Sequence, residues 1–149
     1  MPAALVIEHV LDIAAPPALV WAVIIDLPRY GEWNPFVVCC RSSLVVGDPI
    51  DMRVRLFAFA QPQRETILEH VPGQRLCYGI ERTRVGALAS RRSHEVGPNG
   101  VGGARYRSYF ELSGWLAGTV RLLLGTRLRA GFTAMSRAIQ QRAESLASP

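Results

Sequence analysis

Arg92 and His94, two residues apart, are the side chains whose types and spacing are best suited to chemistry in this chain. Residues two apart on a strand share a face, and apolar Val96 continues that face, so the pair is expected to look inward. Burying a cation and an imidazole is costly without partners. The arrangement makes sense beside a ligand's carboxylate, hydroxyl or carbonyl oxygen. The plainer alternative bonds His94 to a backbone group and pairs Arg92 with Glu81 or Glu95. Tyr106, Ser108 and Phe110 alternate in the same way, as do Leu76, Tyr78 and Ile80, and both sets should face the same interior. A buried Tyr needs a partner for its hydroxyl, either a ligand or a second polar side chain.

Other chemistries are excluded or unsupported. All 17 basic residues are Arg, so Schiff-base chemistry, a phosphate-loop lysine and a lysine general base are absent. His9, His70 and His94 lie far apart and show no metal-ligand spacing, so no metal and no other cofactor is expected. His9 reads as a satisfied core histidine. Cys39 and Cys40 are adjacent, with Cys77 distant, and they read as buried free thiols in a reducing compartment. Nucleophile-elbow and dinucleotide motifs do not occur. The net charge of +5 raises the question of nucleic acid, but the Arg residues are scattered. Pairs such as Arg53 with Arg55 and Arg105 with Arg107 fit a solvated sheet face better than a nucleic-acid groove.

The elements that must carry these residues follow from pattern. A length of 149 residues suits one domain spanning 1–149, burying roughly 70% of the surface of its unfolded chain. Residues 4–14 read as a strand with Ile7, His9, Leu11 and Ile13 on one face. Pro17 opens a helix over 17–25, and 26–36 reads as a short helix or irregular turn. Strands are expected over 36–46, from Ile50 to Ala58, and over 63–71, 75–82, 88–96 and 104–112, with turns at Gln61-Pro62 and the Gly- and Pro-rich segments between. Beyond Gly114 the period changes: Leu116, Val120, Leu123, Leu124, Leu128, Phe132, Met135, Ile139 and Leu146 mark an amphipathic helix of about 30 residues, roughly 45 Å long. Gly125 and Gly131 suit places where something packs close. The layout is α+β: a strongly curved antiparallel sheet covering its apolar face with one long helix.

Three stretches carry a family resemblance. IAAPPALVWAVIIDLPRYGEWNPFV (13–37), GALASRRSHEV (86–96) and GARYRSYFELSGWLAG (103–118) resemble the START-like, or SRPBCC, superfamily of polyketide cyclases, dehydrases and lipid-transfer proteins. The resemblance implies a helix-grip fold: a seven-stranded curved antiparallel sheet around a long C-terminal helix, two short helices after the first strand, and an internal cavity. It places Tyr30 and Trp33 near that cavity, although the plainer reading of Trp33 is a plug of the short-helix layer against the sheet. Met52 and Val54 on the alternating strand, and Tyr78, Arg92, His94, Tyr106, Ser108 and Phe110, are the expected sheet-side lining. Leu128, Phe132 and Met135 supply the helix side, with Leu124 core.

The resemblance implies binding or transfer of a small hydrophobic or amphipathic ligand, such as a lipid, a polyketide-like compound or an isoprenoid. The alternative is a cyclase, aromatase or dehydratase in which His94, Arg92 and Tyr106 assist enolisation or dehydration. A third reading, from chaperone- and ribosome-associated members, is a protein-interaction module. The N-terminal apolar stretch lacks the basic start of a signal peptide, and no apolar run approaches the ~18–20 residues of a membrane span. A cytoplasmic protein without stable membrane insertion is expected, and a homodimer stays open.

Overall fold

The computed structural model describes residues 2–82 and 84–149. Strand β1 (Leu5–Ile13) is followed by Pro16, whose carbonyl accepts the first bonds of α1 (Pro17–Ile25). The pre-set φ of Pro17 suits the first helical position. A single 3-10 turn (Leu27–Arg29) leads into the four-residue α2 (Tyr30–Trp33). Then come β2 (Val37–Ser42), β3 (Pro49–Val54), β4 (Gln61–Val71), β5 (Arg75–Gly79), β6 (Ala89–Pro98) and β7 (Ala104–Ser113), followed by α3 (Ala117–Ala147).

The strands form one seven-stranded antiparallel sheet in the order β1-β7-β6-β5-β4-β3-β2. The short helices therefore carry the chain from one edge of the sheet to the other. Register shifts at Val37/Cys39 and Ile67/Glu69 add the local twist that bends a sheet. The helix α3 packs against β1, β7 and α1, with Leu128, Phe132, Met135 and Ile139 buried. This is the expected helix-grip arrangement.

Several boundaries differ from the sequence reading for local reasons. Strand β2 stops at Ser42 because side chains take over the backbone bonds. The Ser42 hydroxyl donates to the Pro49 carbonyl and accepts from the Leu44 amide, and Leu44 adopts a φ of 60°. Strand β3 stops at Val54, since Arg127 holds the Leu56 carbonyl at 3.2 Å and lies over Phe57, drawing the chain out of register. Gln61-Pro62 is not a turn but the start of β4, with Pro62 opposite Arg53. On α3, Leu123 and Leu146 are exposed, contrary to expectation. Leu123 falls beside the stripe set by Val120, Leu124 and Leu128, and Leu146 lies in the last turn.

The outer face of the sheet carries the expected arginines. Arg64 pairs with Asp51, Arg105 with Asp12, and Arg107 with Glu8 and Glu95. All three cysteines are free, and Cys40 and Cys77 are buried as expected, but Cys39 is exposed, because adjacent residues of a strand point to opposite faces. Burial pushes the Cys40 thiol up to about 12.

Candidate ligand cavity

Pleating puts Ser90, Arg92, His94 and Val96 of β6 on the concave face, beside Tyr106, Ser108, Phe110 and Leu112 of β7. Cross-strand register sets Arg92 opposite Phe110 on one side and Tyr78 on the other. A curved sheet and one helix do not fill the space between them, and a cavity of about 260 Å³ remains. Its wall is mainly apolar, with Phe36, Met52, Val54, Phe110, Leu128 and Phe132 contributing. Its polar groups include Glu65, Tyr78, Ser90 and Arg92.

Arg92 is 2% exposed. Its Nη1 donates to Ser108 Oγ, its Nη2 points to Met135 Sδ at 3.6 Å, and its guanidinium lies over the Phe132 ring. Nε has no partner. The ion pairs among the described residues all involve other arginines. Neither Glu81 nor Glu95 neutralises Arg92. Glu95 sits on the outer face of β6 with Arg75 and Arg107. A buried guanidinium without an ion-pair partner among the described residues is a costly arrangement that an anionic ligand relieves.

Glu65 of β4 completes the polar part of the wall and was not singled out in the sequence. Desolvation raises its carboxyl to about 7, against the opposing pull of the Gln63 amide and the Arg92 charge. The available signal was the alternation Gln63, Glu65, Ile67, which puts both polar residues on the face of a fully buried Ile.

The other expected site residues divide into two groups. Met52, Val54, Tyr78, Arg92, Phe110, Leu128 and Phe132 line the cavity. Trp33, His94, Tyr106, Ser108 and Met135 lie outside its wall. Trp33 packs edge-on against Tyr30, 5.0 Å between ring centres, and plugs the short-helix layer. Ser108 and Met135 sit behind Arg92 and hold it. His94 is fully buried between two tyrosines, Nδ1 at 2.7 Å from the Tyr106 hydroxyl and Nε2 at 3.3 Å from the Tyr78 hydroxyl. It bonds no backbone group, so that alternative fails. Burial and the nearby Arg92 charge hold its pKa well below the usual value. A neutral imidazole donates from one nitrogen and accepts at the other, so the two tyrosines play opposite roles. His9 is only half-buried: Nε2 is 3.1 Å from Thr133 Oγ1, and Nδ1 has no partner.

A second depression of about 870 Å³ borders β2, β3 and β4, but its Asp51 and Arg64 are paired with each other at the surface. Among the described residues no three His, Cys, Asp or Glu side chains gather as metal ligands. No helix among the described residues is long and apolar enough to cross a membrane.

The sequence profile described as polyketide cyclase / dehydrase and lipid transport matches residues 4–148. The chain belongs to this family. Solved structures with the same architecture include the Zhui aromatase/cyclase from Streptomyces sp. R1128, 16% identical, covering 97% of this chain and 96% of that one, with a TM-score of 0.75. Norcoclaurine synthase from Thalictrum flavum, a point mutant in complex with a transition-state analogue, is 18% identical over 97% and 96%, with a TM-score of 0.71. A START superfamily protein from Mycobacterium smegmatis is 14% identical over 95% and 98%, with a TM-score of 0.69. At such identities the likeness is one of fold. No curated protein matches the chain by sequence. The family description spans both chemistry on polyketides and transport of lipids.

Proposed function

We propose that this family member binds a compact, largely apolar molecule bearing one anionic or strongly hydrogen-bond-accepting oxygen, which meets Arg92 in the cavity. The observation that carries the reading is the guanidinium itself, buried on a mainly apolar wall with Nε unpartnered and no ion pair among the described residues, the neighbouring Glu65 carboxyl being raised to about 7. A volume of about 260 Å³ lies just below the usual range of ligand pockets, ~300–1,000 Å³. It suits a ring system or an isoprenoid fragment better than a whole phospholipid. Titration calorimetry with 2-naphthoate and 2-methylnaphthalene tests this. The acid is expected to bind more tightly to the native protein, and Arg92→Met to abolish the difference. Equal affinities in the native protein would remove the basis of the proposal.

A second reading, cyclisation or dehydration of a polyketide-like substrate, is favoured by Glu65. Its carboxyl, raised to about 7, is matched to proton transfer near neutral pH. Arg92 on the same wall would hold an enolate oxygen by charge. In this reading His94 and Tyr106 position Tyr78 instead of touching substrate. Loss of turnover in Glu65→Gln with retained binding of the same substrate distinguishes the enzyme from the carrier.

A further inference from the structure

The cavity opens at one end of the sheet, between three segments. Residues 55–60 join β3 to β4, the described residues 80–82 and 84–88 lie between β5 and β6, and residues 114–124 lead into α3 and form its first turns. Leu56, Leu88, Val120 and Leu124 line the cavity from these segments, and its most exposed lining residues, Gln61 and Pro62, adjoin the first. The opposite end is closed by fully buried His94, Tyr106 and Met135.

The same segments present large apolar side chains to solvent. Phe59, Val85, Trp115, Leu122 and Leu123 are 59–83% exposed. Singly, such residues are ordinary; gathered around one opening they mark an interaction surface. They are held in place. Trp115 Nε1 donates to the Val85 carbonyl at 2.9 Å, and Phe59 stacks on Phe57, which lies under Arg127.

Charge narrows the partner. Arg55, Arg82, Arg84, Arg121 and Arg127 stand exposed on or beside these segments, and none is paired with a carboxylate among the described residues. Glu81 is the only acidic residue in the three segments. Elsewhere on the sheet surface Arg64, Arg105 and Arg107 are each neutralised by Asp or Glu, while Arg41 and Arg53 stand singly on β2 and β3. A second copy of this chain would bring the same positive rim against itself. An anionic bilayer complements both features: apolar side chains enter the headgroup–acyl boundary while arginines meet phosphates.

We propose that the rim of the cavity docks on an anionic phospholipid bilayer, with Trp115, Leu122 and Leu123 entering the interface. Docking sets the cavity mouth against the lipid, so an apolar ligand passes between the two without crossing water. The surface goes beyond the ligand reading and does not depend on it.

Vesicle sedimentation of the full chain is the test, using phosphatidylcholine alone and phosphatidylcholine with about a third phosphatidylglycerol. The native protein is expected to sediment with the mixed vesicles and not with the neutral ones. Leu122→Ser with Leu123→Ser, and separately Arg84→Glu with Arg121→Glu, are each expected to weaken this at least about tenfold. These side chains are exposed, so thermal unfolding and naphthoate affinity in lipid-free buffer should stay unchanged, which separates failure of docking from failure of the cavity reading. The proposal is overturned if the native protein stays in the supernatant, binds both vesicles equally, or binds them as well after the substitutions. It is also overturned if sedimentation velocity shows a dimer that the leucine variant dissolves, since the face would then belong to a second copy.

Discussion

The guanidinium carbon of Arg92 stands 4.8 Å from the centre of the Phe132 ring. Phe132 in turn stacks on Phe110 at 4.6 Å and meets Phe36 edge-on at 5.0 Å. The cation is thus held by an aromatic wall, a serine hydroxyl and a thioether, all of them neutral. Such a holder fixes direction without forming an ion pair, and leaves compensation of the charge to a ligand or to Glu65 when it ionises. It serves a ligand better than it serves stability.

Arg92→Met follows directly. Replacing a buried charge by an apolar side chain of similar reach is often neutral or stabilising. Thermal unfolding is therefore expected to place the variant within about 1 kcal/mol of native, or above it. Affinity for 2-naphthoate is expected to fall about 10- to 100-fold, the worth of a charge-assisted hydrogen bond. A large loss of stability at unchanged affinity would assign Arg92 a structural role.

Glu65 sets a pH dependence of unusual sign for a carboxylate. Its folded pKa, about 7, lies above its ordinary 4.5, so the folded state holds a proton that the unfolded state releases between those values. Its contribution to stability is therefore full below about 4.5 and is lost as pH rises through about 7. Urea unfolding of Glu65→Gln is expected to match native near pH 4.5 and to exceed it at pH 8, where the native protein must bury an ionised carboxylate. The same ionisation sets a negative charge near Arg92, so native affinity for 2-naphthoate should decline above pH 7 while that of the variant stays flat. Parallel pH profiles for the two proteins would show that Glu65 ionises freely.

Much of this was legible in the sequence. Strict alternation on β6 and β7 located the inward faces, and Pro17 marked the start of α1, because each rests on one local rule. What escaped depended on partners distant in sequence. The outward course of residues 55–60 is imposed by Arg127, some 70 residues on. His94 shares a face with Arg92 yet lies beyond the cavity, because the void ends where Tyr78 and Tyr106 fill the sheet, and side-chain volume is not encoded in periodicity. Glu65 was readable from its strand, but a Gln-x-Glu pair resembles a solvated face until Ile67 is known to be buried.

Tyr106→Phe probes the buried network. The substitution removes the hydroxyl 2.7 Å from His94 Nδ1 and leaves a fully buried polar atom without a partner. A cost of about 1–3 kcal/mol is expected in chemical denaturation, with naphthoate affinity unchanged because Tyr106 is not on the cavity wall. His94 adds an acid sensitivity. Its folded pKa lies well below 6.5, so the unfolded state takes up a proton that the folded state refuses, and stability is lost as pH falls below about 6.5. Native protein should therefore weaken relative to His94→Gln on acidification. A constant difference across pH would mean the imidazole protonates in place.

Two glycines of α3 give the last prediction, because the structure treats them oppositely. A Cβ on Gly131 would lie 2.3 Å from the Phe36 ring, whereas one on Gly125 meets only the Arg121 side chain at 3.6 Å. Gly125→Ala is expected to stabilise by up to about 1 kcal/mol through helix propensity alone. Gly131→Ala gains the same propensity but overpacks the core, a strain of about 1–3 kcal/mol that cancels or exceeds it. Phe36 is held through its amide by Asn34 Oδ1, so the displaced ring has to move at its free end, into the cavity it lines. Naphthoate affinity should then fall in Gly131→Ala and not in Gly125→Ala. Calorimetry on the pair checks both statements, and equal responses at the two positions would mean that Phe36 yields without closing the cavity.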